Sequence, residues 1–427
     1  MKLDDLLEGQ GERERLCYEE AREVYAAVGV DAEAAIGAAL ETPISAHCWQ
    51  ADDVVGLEAL GEGLDGGGIQ ATGNYPGRAR TGDEIRRDFE MAARLIPGTL
   101  RFNLHAMYAE TGGARVDRDE LAPEHFATWI DWCAENGWGM DFNPSCFAHP
   151  MVVDGLTLSS PRKAVREFWV RHCIASREIA RVMAKTLGPC VCNIWIPDGR
   201  KDATADRIGP RRRLVKSLDA VLETGKAKVT DTVESKLFGI GLEDYTVGSH
   251  EFCLLYAAAR GCGVCFDMGH YHPTEGIADK VSAALLFVRP VLIHASRGVR
   301  WDSDHVTRFN DDLRAVADEV MRSGMARDVL WATDFFDASI NRIAAWTIGL
   351  RSVRKALLWA LLAPVEAAQS AERAGDGAGK LAVEELRAEL PFGAAWDELC
   401  ARAEVPGGLA WLAEVRRYEA EVLSARE

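Results

Sequence analysis

The side chains of this sequence that could do chemistry gather between residues 234 and 334. Asp267 stands three residues before His270 in GVCFDMGHYHPTE, Asp302 and Asp304 flank a serine in VLIHASRGVRWDSDH, and His294 lies between the two groups. Glu234 closes KVTDTVE and Asp334 closes DVLWATD, so ligand-type residues recur at the ends of successive apolar, β-branched runs. A lone strand-end aspartate is ordinarily a turn former or a helix cap. Capping does not account for an aspartate paired with a histidine three residues on, or for two aspartates beside His305. Five carboxylates and two histidines together read as the ligands of a two-metal site. Lys236, two residues past Glu234, shares its side of the strand and points inward, where a lysine without a partner is costly, so a functional or ion-paired role is expected. His105 closes TLRFNLH and has a satisfied core histidine as its competing reading; Trp195, at the end of NIW, could be plain core. His272 and His305 adjoin ligand residues and are read as groups that orient them.

Bringing these residues to one place requires strands that end side by side. The chain alternates accordingly. A helix-rich stretch at 12–40 ends before Pro43, and ISAHCW follows as a strand with His47, Gln50 and Asp52 at its end. GGGIQATGNYPGRA reads as an ordered loop and lacks the spacing of a dinucleotide motif. TGDEIRRDFEMAARLI opens on a capping pattern, Thr81 three residues before Glu84. PEHFATWIDWCAEN, the long SPRKAVREFWVRHCIASREIARVMAKTL after a serine cap, and segments at 210–225, 249–260, DKVSAALLF and 311–323 are the further helices. About eight strand-like runs are thus separated by helix, the pattern of an α/β fold of the (β/α)8 TIM-barrel type. A doubly wound sheet is the rival, but it gathers its site at one switch point. Here His47, His105, Asn143, Trp195, Glu234, Asp267, His294 and Asp334 end eight different runs. The expected organisation is a catalytic barrel over 1–345 and a helical extension over 346–427, with a hinge at AERAGDGAGK and three shorter helical stretches. Its apolar faces suggest packing or subunit contact.

The bulk properties narrow the function. With 427 residues, 48% hydrophobic and 27% charged, the chain can bury a large core. A net charge of −17 argues against nucleic acid, which needs a basic footprint, and suits divalent cations. The eleven cysteines are scattered, with Cys190 and Cys192 the closest pair, and are read as reduced core thiols. No apolar run is long enough to span a bilayer and MKLDDLLEGQGERERL has no leader pattern, so a cytoplasmic protein with no membrane partner is expected.

HCWQADDVVG, GGIQATGNYPG, DFNPSCFAHP, NIWIPDG, VESKLFGIG, GHYHPTE, VRWDSDHV and DFFDASINRIAAW carry a resemblance to the L-rhamnose isomerase family, from about residue 15 to the last helix. The resemblance implies a xylose isomerase-type barrel, a homotetramer, and interconversion of L-rhamnose and L-rhamnulose. It also implies two divalent cations per subunit, Mn²⁺ the expected ion, with Mg²⁺, Co²⁺ or Zn²⁺ as alternatives. By motif, one position would be held by Glu234, Asp267, His294 and Asp334, the other by His270, Asp302 and Asp304, with Asp267 bridging. The implied chemistry is a metal-assisted 1,2-hydride shift between C1 and C2 of an aldose, with an enediol route as competitor. In it Lys236 steadies O1, Asp334 with water moves the hydroxyl proton, His105 assists ring opening as acid or base, and Trp195 walls the sugar. A metal-dependent hydrolase on the same barrel and a non-catalytic sugar-binding protein are the alternative classes; a nuclease is disfavoured by the charge.

Overall fold

The computed structural model describes residue 3 and residues 17–49, 56–58, 75–223, 229–239, 241–272, 274–299, 304–336 and 339–426. Gln50, Asp52 and Asp302 lie outside the described residues. Eight parallel strands close on themselves: β1 (Ile44–His47), β2 (Leu100–His105), β3 (Gly139–Asn143), β4 (Cys190–Trp195), β5 (Val229–Glu234), β6 (Gly263–Asp267), β7 (Val291–Ala295) and β8 (Val329–Thr333). Each pairs with its neighbours in sequence, and β8 closes the ring on β1 through Trp331 beside Ile44 and Ala332 beside Ser45. The doubly wound alternative is excluded by this closure. The helices Gly82–Ala93, Ala127–Glu135, Lys163–Leu187, Ile208–Glu223, His250–Arg260, Ala278–Leu285, Asp311–Arg322 and Arg342–Leu361 follow the eight strands in turn. Outward strand residues such as Phe102, Phe142, Ile194 and Ile293 are buried against these helices in the principal core. This arrangement leaves the alternate, inward positions free to carry polar groups.

Local chemistry departs from expectation at three places. The helix-rich N-terminal stretch is two helices, Tyr18–Ala27 and Ala32–Glu41. Gly29 takes a left-handed φ of +79°, and Asp31 caps the second helix by accepting from Ala34 N at 3.0 Å. Thr81 does cap its helix, accepting from Glu84 N at 3.2 Å, but the Glu84 carboxylate accepts from Arg80 N at 2.6 Å instead of returning to Thr81, so the capping box is half made. The long helix has no serine cap: it starts at Lys163, one residue past Arg162, and Ser160 Oγ accepts from Arg162 N at 3.3 Å outside the helix.

Residue 345 falls inside helix Arg342–Leu361, whose Ile343, Trp346, Leu350, Val353 and Leu357 belong to the barrel core. The segment read as a hinge is helical to Arg373, and a short turn separates it from helix Gly377–Leu386. Two further helices, Phe392–Arg402 and Ala410–Glu421, complete the tail. Much of the tail's apolar surface is covered within the chain. Leu390, Trp396, Leu399 and Cys400 pack with Tyr25, Ile36 and Ala39 of the N-terminal helices, and Trp411, Val415 and Leu423 join the principal core. Arg426 reaches the fully buried Asp88 at 2.7 and 2.8 Å, and Tyr418 donates to the same carboxylate at 2.7 Å.

A buried arginine organises the strand entries. Arg354 is 0% exposed and donates to the carbonyls of Ala39, Thr42, Pro97 and Thr99, the residues leading into β1 and β2. Burial lowers its pKa to about 9. Replacement by methionine leaves these carbonyls without their donor, so Arg354→Met is expected to lose about 3 kcal/mol or more in chemical denaturation. Arg402→Met, at a part-exposed ion pair with Glu33 and Glu398, should lose less than about 1 kcal/mol. Equal losses would contradict this assignment.

Candidate metal centre

The strand register sets the acidic groups around the barrel mouth. Trp195 lies beside Glu234 across β4 and β5, and Asp267 beside His294 across β6 and β7. Asp334 follows β8 directly, and Asp304 comes from the connection after β7. Two clusters result, Glu234, Asp267, His294 and Asp334 in one and Asp267, His270 and Asp304 in the other, each with ligand atoms within 4.8 Å of one another. Asp267 belongs to both. The described candidate ligands thus fall into two groups that share Asp267, and Asp302 lies outside the described residues.

Interatomic distances test whether cations fit. His294 Nδ1 lies 3.5 Å from Glu234 Oε1, 3.5 Å from Asp267 Oδ2 and 3.4 Å from Asp334 Oδ2. One ring nitrogen cannot donate to three carboxylates. Two atoms each about 2.1 Å from one ion at a near-tetrahedral angle lie about 3.4 Å apart, so the spacing suits atoms that share a cation. His270 Nδ1 is 3.2 Å from Glu234 Oε1, and its Nε2 is 3.8 Å from Asp304 Oδ2. Glu234 Oε1, Asp267 Oδ2, Asp304 Oδ1 and both nitrogens of His294 are buried without a hydrogen bond. Orphaned polar atoms of this kind call for a ligand.

Electrostatics agrees. Burial opposes protonation of His270, yet the charges of Asp267 and Asp304 prevail and raise its pKa to about 10. His294, also buried, is held well above the ordinary histidine value by its acidic surroundings. Burial raises Asp334 to about 6, against the lowering effect of His294. The site thus draws positive charge, and protonated imidazoles supply it where cations are absent. Cys265 Sγ lies within reach of Glu234 and His294, but burial pushes its thiol far up, which disfavours a thiolate site. The carboxylate–imidazole set suits a hard or borderline divalent ion.

The residues that hold the ligands come from elsewhere in the sequence. Asn193 Nδ2 donates to Glu234 Oε2 at 2.5 Å, Ser296 Oγ to Asp267 Oδ1 at 2.5 Å, and Trp49 Nε1 to Asp334 Oδ1 at 2.7 Å. Gly269 N also donates to Asp267 Oδ1 at 2.7 Å. A Cβ on Gly269 would lie 2.2 Å from Asp304 Oδ1, so only glycine lets the Asp304 carboxylate approach. Sequence reasoning named none of these four; the only local signals were Trp49 two residues past His47 and Ser296 two past His294.

Lys236 lies past the end of β5 and is buried; its Nζ stands 5.4 Å from the Trp195 ring centre. Burial lowers its pKa, opposed by Asp304, Asp267 and Glu234. Trp195 also stacks on His270 at 6.0 Å. His105 is buried against Trp49 at 4.5 Å, with Ser145 Oγ 3.4 Å from its Nδ1, and burial lowers its pKa to about 3. His272 is exposed and pairs with Thr274, so it does not orient the ligands. His305 bridges to Arg297 through its backbone. Two further strand-end residues make contacts within the protein. His47 contacts Thr333 Oγ1 at 2.9 Å and packs on Phe335, and Asn143 donates to Asn103 Oδ1 at 2.5 Å.

A closed (β/α)8 barrel with its acidic and imidazole groups gathered at the C-terminal ends of several strands defines the class, that of barrel enzymes whose chemistry sits at this mouth. The family model described as L-rhamnose isomerase (RhaA) matches residues 14–426, and the chain belongs to that family. It is 52% identical over 412 residues to the L-rhamnose isomerases of Escherichia coli O81 (strain ED1a) and of Cronobacter sakazakii (strain ATCC BAA-894), covering 96% of this chain and 98% of each relative. Among solved structures, a D-psicose 3-epimerase with D-tagatose from Clostridium cellulolyticum H10 aligns with a TM-score of 0.45 at 12% identity, over 75% of this chain and 98% of that one.

A cation entering the clusters must displace protons from the histidines. Mn²⁺ added to chelator-treated protein at pH 7 in weak buffer is expected to release protons, read with an indicator dye. In metal-free protein the sign is that of a raised pKa. Stabilisation by His270 is complete below the ordinary value of 6.5 and is lost as pH rises through about 10. The melting temperature of chelated protein should therefore fall from pH 7 to pH 10 by more than that of metal-loaded protein. Binding without proton release would contradict the account.

Proposed function

We propose that this chain interconverts L-rhamnose and L-rhamnulose by moving hydrogen between C1 and C2 as a hydride. The observation that carries the reading is the pair of clusters sharing Asp267, in a chain that belongs to the L-rhamnose isomerase family. Two divalent cations bound there, Mn²⁺ the expected species, would supply Lewis-acid polarisation of the substrate's oxygens. Glu234, Asp267, His294 and Asp334 would hold one position, and Asp267, His270 and Asp304, with Asp302, would hold the other.

The remaining work belongs to the chain's own groups. Lys236, buried among carboxylates, donates to O1 and steadies charge that develops there. Asp334 takes and returns the hydroxyl proton with the help of water. Trp49 fixes the Asp334 carboxylate through its indole N–H. His105, kept neutral by burial, assists ring opening as acid or base. Trp195 and Phe147, 5.5 Å apart, offer an apolar wall to the sugar and exclude water from the reacting carbons.

The reading extends to assembly and location. A homotetramer with residues 346–427 contributing to subunit contact is supported by Leu381, 63% exposed on helix Gly377–Leu386, and a second apolar surface for assembly is offered by Leu286 and Phe287 in the turn after helix Ala278–Leu285. Cytoplasmic residence is supported by eleven free cysteines, and no helix among the described residues is long and apolar enough to cross a membrane.

Chelated protein given L-rhamnose should form ketose only when Mn²⁺ is restored; no ketose under either condition would defeat the reading. Asp304→Asn should retain the fold and lose turnover by about two orders of magnitude or more. Asp267→Asn, removing the shared carboxylate, should lose metal at both positions and also melt lower. Near-normal turnover in Asp304→Asn would remove that residue from the site. Sedimentation of the 46.8 kDa chain should report a tetramer, and a monomer at working concentration would contradict the assembly.

A further inference from the structure

At the N-terminal mouth of the barrel, opposite the acidic clusters, the strand entries surround a cavity of about 360 Å³. Interiors of this fold are ordinarily filled by layers of branched side chains. Here the filling is lopsided. Val191, Leu292, Leu330 and Ala332 pack together on one side, and Ser45, Arg101, Asn103, Asp141 and Asn143 line the other.

The polar side is closed in charge and open in hydrogen bonding. Asp141 accepts from Arg101 Nε at 2.9 Å and Nη2 at 2.8 Å, from Ser45 Oγ at 2.6 Å and from Val191 N at 2.8 Å, so the wall offers no free unit charge. Asn143 Nδ2 donates to Asn103 Oδ1 at 2.5 Å. Among the described residues this leaves Asn103 Nδ2 and Asn143 Oδ1 with no hydrogen bond, although the two residues are only 6% and 2% exposed and both line the cavity. One donor and one acceptor on linked amides, facing an apolar wall, complement a primary carboxamide. Small-molecule sites combine these same features, concave apolar space with a few convergent polar atoms, at about 300 Å³ and above.

We propose that this cavity is a second ligand site, for a small neutral molecule with an apolar body and a carboxamide edge. The carboxamide oxygen accepts from Asn103 Nδ2 and its N–H donates to Asn143 Oδ1, while the body lies against Val191, Leu292 and Leu330. Neutral ligands are favoured because Asp141 already balances Arg101. Asn193 lines the cavity and separates it from the metal centre; its amide is committed to Glu234 and to Thr232 Oγ1, the latter at 2.7 Å.

Benzamide is the probe, titrated into metal-loaded enzyme with ligand-observed NMR and calorimetry. The expected result is a single saturable site, benzoate weaker by about tenfold, and no displacement by saturating L-rhamnose. Thr230→Phe, at the half-buried cavity mouth, should abolish binding with turnover retained. Asn103→Ala should weaken binding by about tenfold through loss of the donor. No binding at millimolar benzamide, displacement by the sugar, benzoate as tight as benzamide, or affinity unchanged in both variants would each overturn the proposal. The benzamide-binding readouts do not depend on isomerase activity, so failure of this proposal and failure of the proposed reaction are told apart.

Discussion

The structure turns on a concentration of buried negative charge at one end of a closed barrel. Glu234, Asp267, Asp304 and Asp334 converge around two imidazoles and Lys236. Like charges taken out of water are tolerated only where counter-charge enters with them. Raised histidine pKa values and orphaned carboxylate oxygens are two expressions of that single demand. Donors on or just past neighbouring strands, Asn193, Ser296 and Trp49, hold one oxygen each of Glu234, Asp267 and Asp334.

Such a site needs a stiff frame, and the fold supplies it by dividing labour along each strand. Outward residues pack on the eight helices, while inward residues grade from a part-apolar floor to the charged mouth. Arg354 ties the entries of β1 and β2 to the helix after β8, and Arg426 ties the end of the chain to Asp88. The ring is therefore fastened where it closes. The acidic end then varies in stiffness, since Glu234 and Asp267 end strands whereas Asp304 rides on a connection.

The eight strands and their order were legible in the sequence because each is a short β-branched run between amphipathic helices. Glu234, Asp267, His270, His294, Asp304 and Asp334 were legible for a related reason: ligand-type residues at strand ends recur too often to be caps. Trp49, Asn193 and Ser296 were not legible, because each acts from one strand end on a partner at the neighbouring strand, 29 to 285 residues away in sequence, and is an ordinary residue locally. His272 misled because adjacency in sequence said nothing of direction; its ring turns to solvent. The tail, whose apolar faces suggested packing or subunit contact, finds part of its cover on the N-terminal helices of the same chain.

Two cations sharing Asp267 would satisfy both clusters at once. Anomalous scattering from crystals of Mn²⁺-loaded protein tests this most directly. The account predicts two peaks per chain, one bounded by Glu234, Asp267, His294 and Asp334 and one by Asp267, His270 and Asp304. A single peak, or one ligated by Cys265 with Asp267 unengaged, would contradict it.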